Sequence, residues 1–252
     1  MTAGKSLLLS LRNVYETLYV SAPTVVDAFR GGVTRQLCDD RLEAWATRVV
    51  ANSEMMISVH GREHIPSGGL GPAAHPPAPG ARSHLVMSNH QSHYDIAVLY
   101  YVLGSSIRMV AKRELFELPV FGSAMKAAGF ISIDRRNTER AISSLEDAKR
   151  ELANGVPIWI APEGTRSPSG ALLPFKKGGF ALALGTGAPI LPVSIRGTRD
   201  VLRAKGVRSR PGVEVFVTIH PPVDPKRFAH MAPKPGRDAL ADEVRRAIAS
   251  GL

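Results

Sequence analysis

Cysteine, aromatic residues and long apolar runs are all scarce in this chain. The single cysteine, Cys38, excludes a disulfide-stapled fold and a zinc site built from several thiolates. Aromatic residues are 6% of the 252 and do not alternate with the basic ones, so we expect no base-stacking surface for nucleic acid. Because no uncharged apolar run reaches about 18 residues and no signal-peptide pattern opens the chain, we expect neither a membrane-spanning helix nor secretion.

Positive charge, in contrast, is abundant. Lys and Arg number 32 against 22 Asp and Glu, which gives a formal net charge of +10. The densest cluster of cations is Arg203, Lys205, Arg208 and Arg210. Such a balance attracts polyanions, whether an anionic phospholipid surface, a phosphorylated substrate or nucleic acid, and it is also compatible with a solvated basic face that has no specific partner. Charge alone leaves these alternatives open.

The N-terminal part of the chain predicts a pair of amphipathic helices. Apolar residues recur at helical spacing over residues 5–21, Pro23 interrupts the pattern, and a second helical pattern covers Val33 to Met56. The pair could pack on the core of the protein, or it could lie in a membrane interface. We therefore divide the chain into N-terminal helices, residues 1–56, and a main domain, residues 57–252.

The main domain predicts an α/β fold. A stretch rich in proline and glycine, Pro66 to Gly80, indicates a surface loop, and short apolar strands then alternate with helices. This alternation is typical of a mostly parallel central sheet flanked by helices. The predicted strands are 57–60, 84–88, 107–111, 130–133, 156–161, 190–195 and 213–219, and the predicted helices are 96–103, 120–128, 138–154, 179–185 and 238–249.

A histidine and an aspartate follow the predicted strand 84–88. His90 and Asp95 are five positions apart, so on one continuous helix they would point about 140° away from each other. They can meet if His90 lies in the loop after the strand and Asp95 begins the next helix. Asp95 could then orient one imidazole nitrogen while the other takes a proton from a hydroxyl, or it could simply cap the helix.

Cationic residues follow three further predicted strands. Arg166 comes after strand 156–161, Lys112 after strand 107–111 and Arg135 after strand 130–133. Parallel strands end at the same edge of a sheet, so we expect these side chains and His90 to open onto one crevice. A guanidinium can bind phosphate through two parallel hydrogen bonds. The pattern therefore predicts a phosphate-binding site, with Arg166 as its first candidate.

A metal site is the main alternative chemistry. His90 and His93 are three positions apart, and other histidines lie nearby in the sequence. The chain has no His-Glu-x-x-His pattern, and carboxylates close to these histidines are few. We expect no metal, and we keep two rival interpretations: a metal-dependent hydrolase, and a non-catalytic basic module that binds lipid or nucleic acid.

Several short motifs share their order and spacing with one known family. They are Asn89–Asp95, Lys112–Leu115 with Pro119 and Gly122, Gly129–Arg135, Pro162–Ser167, Phe175–Gly178 and Pro189–Val193. Over roughly residues 57–200 the chain thus resembles the glycerolipid acyltransferases typified by 1-acylglycerol-3-phosphate acyltransferase. The sequence departs from the family pattern at Ala161, where phenylalanine is frequent, and in the length of the loop from Pro66 to Gly80.

The resemblance implies transfer of a fatty acyl group, without a cofactor, to the 2-hydroxyl of 1-acylglycerol-3-phosphate. The donor would be acyl-CoA or acyl carrier protein, and another lysolipid or an acylated amino-acid lipid stays open as acceptor. It also implies a cytoplasmic enzyme associated peripherally or monotopically with the inner face of the membrane. The implied site consists of the catalytic residues His90 and Asp95, the phosphate ligands Arg166, Lys112 and Arg135, and the substrate-positioning residues Glu163, Gly164 and Thr165.

Overall fold

The computed structural model describes residues 4, 6–66, 70, 83–134 and 138–252, and it gives side chains for all of these except residues 138–143. Most of the predicted loop from Pro66 to Gly80 therefore lies outside the described residues, and so does Arg135.

The described residues form strands and helices in the predicted alternating order. The strands are β1 (Met56–His60), β2 (Leu85–Ser88), β3 (Arg108–Lys112), β4 (Ile131–Ile133), β5 (Ile158–Ile160), β6 (Ile190–Arg196) and β7 (Glu214–Ile219). The helices are α1 (Leu7–Phe29), α2 (Arg35–Asn52), α3 (Tyr94–Leu103), α4 (Phe121–Ala127), α5 (Thr138–Ala153), α6 (Gly178–Thr186), α7 (Thr198–Val201) and α8 (Pro233–Ser250). The short helix α7 was not predicted from the sequence.

The strands form one mostly parallel sheet, as predicted. Their order is β1-β7-β6-β2-β5-β3-β4, and the only antiparallel pairing among the described strands joins β6 to β7. Strands β6, β2, β5, β3 and β4 all run in the same direction. The loops that follow these five strands consequently open at one edge of the sheet, where ligand sites of α/β proteins form.

Helices cover both faces of this sheet, which explains the continuous burial of β2. Val86 packs into the cluster that contains residues of α2, α3 and α4. Leu85 and Met87 point to the opposite face and pack into the cluster that contains residues of α5, α6 and α8. A parallel strand enclosed in this way needs apolar side chains on both faces, so it shows no alternation with polar residues.

The boundary predicted between the two N-terminal helices is wrong, because α1 continues through Pro23. Proline removes one backbone donor from the helix. On either side of it, the hydroxyls of Ser21 and Thr24 donate to the carbonyls of Thr17 and Val20, which adds hydrogen bonds to the weakened turn. The second helix is also shorter than predicted: α2 begins after the cap Thr34 and ends at Asn52.

Helix α1 packs on the protein through its polar face. The buried Asn13 donates to the Tyr94 hydroxyl at 2.8 Å, and Glu16 accepts from Arg48 at 2.6 Å. Leu8 is 76% exposed and Phe29 is 89% exposed, and Tyr15, Leu18, Tyr19 and Val26 are exposed as well. Leu7, Leu11 and Val14 are partly exposed and also line the apolar cavity described below. The apolar face of α1 therefore does not pack on the core, whereas α2 contributes Ala46, Val49 and Val50 to it.

Candidate active site

His90 and Asp95 meet at the carboxyl end of β2. The His90 Nδ1 atom lies 2.7 Å from Asp95 Oδ2, the histidine side chain is 16% exposed, and the aspartate is fully buried. Since an ionised carboxylate only accepts hydrogen bonds, Nδ1 carries the proton and Nε2 of the neutral imidazole is left as an acceptor. The predicted condition for contact is fulfilled, because His90 lies in the loop and Asp95 in the first turn of α3.

Asp95 also organises the loop that carries the histidine. Its Oδ2 atom accepts the backbone N–H groups of Gln91 at 2.7 Å and Ser92 at 2.9 Å. Its Oδ1 atom accepts the Thr198 hydroxyl at 2.5 Å. Of the two interpretations of Asp95 from sequence, the structure contains the contact with the imidazole. The N-cap position of α3 is His93, which makes no side-chain capping hydrogen bond, and the Asp95 carboxylate binds the loop before the helix.

Glu163 holds the same loop from the other side. Its two carboxylate oxygens accept the backbone N–H groups of His90 at 2.7 Å and Leu173 at 2.8 Å. Burial raises the pKa of the Glu163 carboxyl, and the two backbone hydrogen bonds oppose that effect. The structure gives no ion pair between Glu163 and Arg166. The carboxylate instead positions the main chain of residues 89–93, here called the catalytic loop because it carries His90, the candidate catalytic residue.

Arg166 lies on the same rim as the histidine. The next residue, Ser167, donates its N–H to the His90 carbonyl at 2.7 Å, which joins the two loops. Burial lowers the pKa of the Arg166 guanidinium, and the nearby charge of Asp95 partly opposes this effect. The guanidinium forms no ion pair or hydrogen bond with any described residue, so it is free to bind an anionic ligand.

Between these groups, His93 stands in an environment that disfavours its charged form. Desolvation lowers the pKa of His93 to about 4, and the positive charge of Arg166 acts in the same direction. His93 is therefore neutral at pH 7. It also lines the rim of the apolar cavity described below.

The other residues predicted for the site are less closely connected. Lys112 is exposed at the end of β3, at the correct edge of the sheet, and its side-chain amine makes no ion pair or hydrogen bond with another described residue. Gly164 adopts φ +71°, a backbone conformation that glycine tolerates, and Thr165 is exposed. Arg135 lies outside the described residues, so its place in the site stays a prediction.

Most backbone donors near the histidine are already in use. The N–H groups of His90, Gln91 and Ser92 bond to carboxylates, and that of Gly164 donates to the Ala161 carbonyl at 3.0 Å. The Asn89 side chain is also occupied, because its amide exchanges two hydrogen bonds with the backbone of Ile195. These groups are therefore not free to bind a developing oxyanion.

An apolar cavity of about 550 Å³ lies between the N-terminal helices and the sheet. Its walls come from α1, α2, α3 and α4 and from the segment that follows α7. His93 and Tyr94 place the cavity directly beside the catalytic loop. The α1 hydroxyls that line it, such as those of Thr17 and Ser21, donate to carbonyls of their own helix, so the open surface is mainly apolar.

Thr198 and the positioning role of Glu163 are the two features of the site that were missed from the sequence. Thr198 follows β6, which neighbours β2 in the sheet. Its position directly after a predicted strand is the one sequence feature that could have marked it as a candidate site residue. The contact itself could not be derived, since Thr198 and Asp95 are separated by 103 positions.

The described residues contain neither a candidate metal cluster nor a candidate membrane-spanning helix. No three His, Cys, Asp or Glu side chains there are grouped so that they could hold a metal ion. Likewise, none of the helices in the described ranges is long and apolar enough to cross a membrane.

The fold and the site define a class of α/β proteins that can activate a hydroxyl beside an anionic group. An imidazole oriented by a buried carboxylate suits this task, and an unpaired guanidinium supplies the charge for the anion. Residues 56–196 match the family model described as Acyltransferase, and the chain belongs to this family.

Named relatives support this assignment. The chain is 34% identical over 168 residues to a chloroplastic 1-acyl-sn-glycerol-3-phosphate acyltransferase of Brassica napus, covering 66% of this chain and 45% of that protein. It is 36% identical over 171 residues to 1-acyl-sn-glycerol-3-phosphate acyltransferase alpha of Mus musculus, covering 68% and 59%. The chain thus spans about half of the length of these curated relatives.

A solved structure with the same fold covers nearly the whole chain. It is the crystal structure of the 1-acyl-sn-glycerophosphate acyltransferase of Thermotoga maritima, with a TM-score of 0.76 and 29% sequence identity. The match covers 97% of this chain and 95% of that one, so it includes the N-terminal helices as well as the sheet.

Proposed function

We propose that the protein transfers a fatty acyl group from a thioester to the 2-hydroxyl of 1-acylglycerol-3-phosphate, giving phosphatidate. The observation that carries the proposal is the 2.7 Å contact between His90 Nδ1 and Asp95 Oδ2 beside the free Arg166 guanidinium. The names of the relatives support the same reaction. The donor is acyl-CoA or acyl carrier protein, and no cofactor takes part.

In the proposed mechanism, His90 is the general base. Its Nε2 atom takes the proton of the acceptor hydroxyl as the oxygen attacks the thioester carbonyl, and Asp95 stabilises the imidazolium that forms. The new C–O bond then replaces the C–S bond, and the thiolate leaves. A thiol has a pKa of about 8.5, so its thiolate departs without metal assistance and recovers the proton from His90.

The phosphate of the acceptor binds the cations of the rim. Arg166 offers the parallel donors of a guanidinium that no described residue occupies. Lys112 contributes a second charge from the end of β3, and Arg135 stays a sequence-based candidate for a third. Glu163 contributes indirectly, because it holds the His90 loop and the Arg166 loop in register.

The apolar cavity beside the catalytic loop receives an acyl chain in this proposal. Its position next to His93 and Tyr94 places the mouth close to the reacting groups. Burial of an acyl chain there contributes about 0.8 kcal/mol for each CH₂ group. A lipid would reach this mouth from a bilayer surface, and the exposed apolar face of α1 supplies the contact with that surface.

Thiol release by the purified protein tests the proposed reaction. Acyl-CoA and acyl carrier protein are offered in turn, with lysophosphatidate, a second lysolipid or an acylated amino-acid lipid as acceptor. Each reaction is run with and without a chelator. We expect thiol release that requires lysophosphatidate and survives the chelator. Release that depends on another acceptor, or that stops with the chelator, would contradict the proposal.

A further inference from the structure

A short loop between α7 and β7 presents exposed cations that have no partner in the part of the chain that the structure describes. In residues 203–208, here called the basic loop, Arg203, Lys205 and Arg208 are exposed. None of the three side chains forms an ion pair or a hydrogen bond with a described residue. Between them, Val207 is 69% exposed, so its side chain contributes little to the apolar core.

The basic loop is fastened to the beginning of α1. Ser6 and Ser209 exchange backbone hydrogen bonds of 2.7 and 3.1 Å, and the Ser10 and Ser209 hydroxyls lie 2.8 Å apart. Ser209 is fully buried at this junction. The loop therefore has a fixed position next to the first turns of α1, where Leu7, Leu8 and Leu11 expose their side chains.

Cations that flank an exposed apolar residue match the surface of an anionic bilayer. Apolar side chains enter the boundary between head groups and acyl chains, while Lys and Arg remain at the level of the head groups. Gly206 and Val207 also line the apolar cavity. A head group bound at the basic loop would therefore bring the bilayer to the opening beside the catalytic loop.

We infer that the basic loop binds the head groups of anionic phospholipids and makes membrane attachment through α1 depend on anionic lipid. The inference rests on the proposed function for the role of α1 at the bilayer. An acidic carrier protein is the rival occupant. The exposed Val207 and the continuity with the apolar face of α1 favour the lipid surface, because apolar side chains contribute to binding at a bilayer and not to a purely electrostatic contact.

Vesicle co-sedimentation tests the inference with two charge-matched variants. The first, R203Q/K205Q/R208Q, removes the cations of the basic loop. The control, K226Q/K234Q/R246Q, removes three exposed cations next to or within α8, on the opposite face of the sheet. The lipids are phosphatidylcholine vesicles with and without about one third phosphatidylglycerol.

On anionic vesicles we expect the basic-loop variant to bind at least about tenfold more weakly than wild type, while the control variant binds like wild type. On neutral vesicles all three proteins should bind equally. Equal binding of the basic-loop variant and wild type to anionic vesicles, or equal losses in both variants, would overturn the inference.

A second measurement identifies the rival occupant. The KM for acyl carrier protein is determined for both variants in neutral detergent, where no anionic surface is present. We expect the two values to agree. A KM raised only in the basic-loop variant, with unchanged vesicle binding, would assign the loop to the carrier and overturn the inference. If wild type shows no transfer, the proposed function fails, and the vesicle result still decides the role of the loop.

Discussion

The Thr198 hydroxyl donates to Asp95 Oδ1 at 2.5 Å, on the side of the carboxylate opposite to the oxygen that His90 contacts. The side chains of Thr198 and Asp95 are completely buried. Because Thr198 starts α7 at the end of β6, this contact ties the catalytic loop to the neighbouring strand of the sheet. The orientation of the imidazole therefore depends on a residue far from it in the sequence.

Replacing Thr198 with valine should lower kcat by about tenfold to one hundredfold with little change in KM. The valine keeps the volume but leaves one oxygen of a buried carboxylate without its donor, which costs about 1.5–3 kcal/mol for a charged group. Steady-state kinetics measure the loss of kcat, and urea unfolding measures the loss of stability. Thr198→Ser restores the hydroxyl and should recover most of kcat; a serine variant as impaired as the valine variant would refute this role.

Replacing Arg166 with alanine should mainly raise KM for the phosphorylated acceptor. The guanidinium has no other partner among the described residues, so its removal takes away phosphate binding without disturbing the fold. Comparing lysophosphatidate with a monoacylglycerol isolates the phosphate, and the preference of the wild type for the former should shrink. Arg246→Ala, an exposed change on α8, is the control. A drop in kcat with KM unchanged would argue against phosphate binding.

His93 should make the protein less stable in acid. Its folded-state pKa of about 4 lies below the ordinary value of 6.5, so the unfolded chain binds more protons between these values. The stabilising contribution is therefore present above pH 6.5 and is lost as the pH falls towards 4. Urea unfolding at pH 7.5 and at pH 5 gives the difference in the free energy of unfolding between the two pH values. This difference should be smaller in His93→Gln than in wild type. The same difference in this variant as in wild type would rule His93 out as the cause, and the exposed His230→Gln variant should behave like wild type.

Serine substitutions at Leu8 and Phe29 should weaken vesicle binding and leave folding intact. These side chains are 76% and 89% exposed, so they contribute little to the core. Co-sedimentation with lipid vesicles measures the loss, and thermal unfolding without lipid provides the control. Deleting residues 1–50 would be a poorer test, because it removes the buried Ala46, Val49 and Val50 from the core. Undiminished vesicle binding by the double variant would show that α1 does not contact the bilayer.

The parts of the fold and site that could be predicted depend on local patterns. His90 and Asp95 are near neighbours in the sequence, and the strand before them fixes where their loop opens. The parallel sheet followed from alternating strands and helices. In each case the relevant signal lies within a few residues, so it can be read before any long-range packing is known.

The features that could not be predicted depend on partners distant in the sequence. The apolar periodicity of α1 indicates an amphipathic helix, but it does not say which face packs on the protein. The polar face does so because Asn13 bonds to Tyr94 and Glu16 bonds to Arg48. In the same way, Glu163 is recognisable from sequence as a polar residue after a strand. Its binding of the His90 backbone depends on how two loops 73 positions apart come together.

Lysophosphatidate-dependent thiol release by His90→Gln is the most direct measurement of the central claim. Glutamine can still donate a hydrogen bond to Asp95 but cannot act as a base, so circular dichroism and urea unfolding should match wild type. We predict that kcat falls by about 10²–10⁴-fold, the usual contribution of a general base. Turnover close to that of wild type in the folded variant would contradict the assignment of His90 as the group that activates the acceptor hydroxyl.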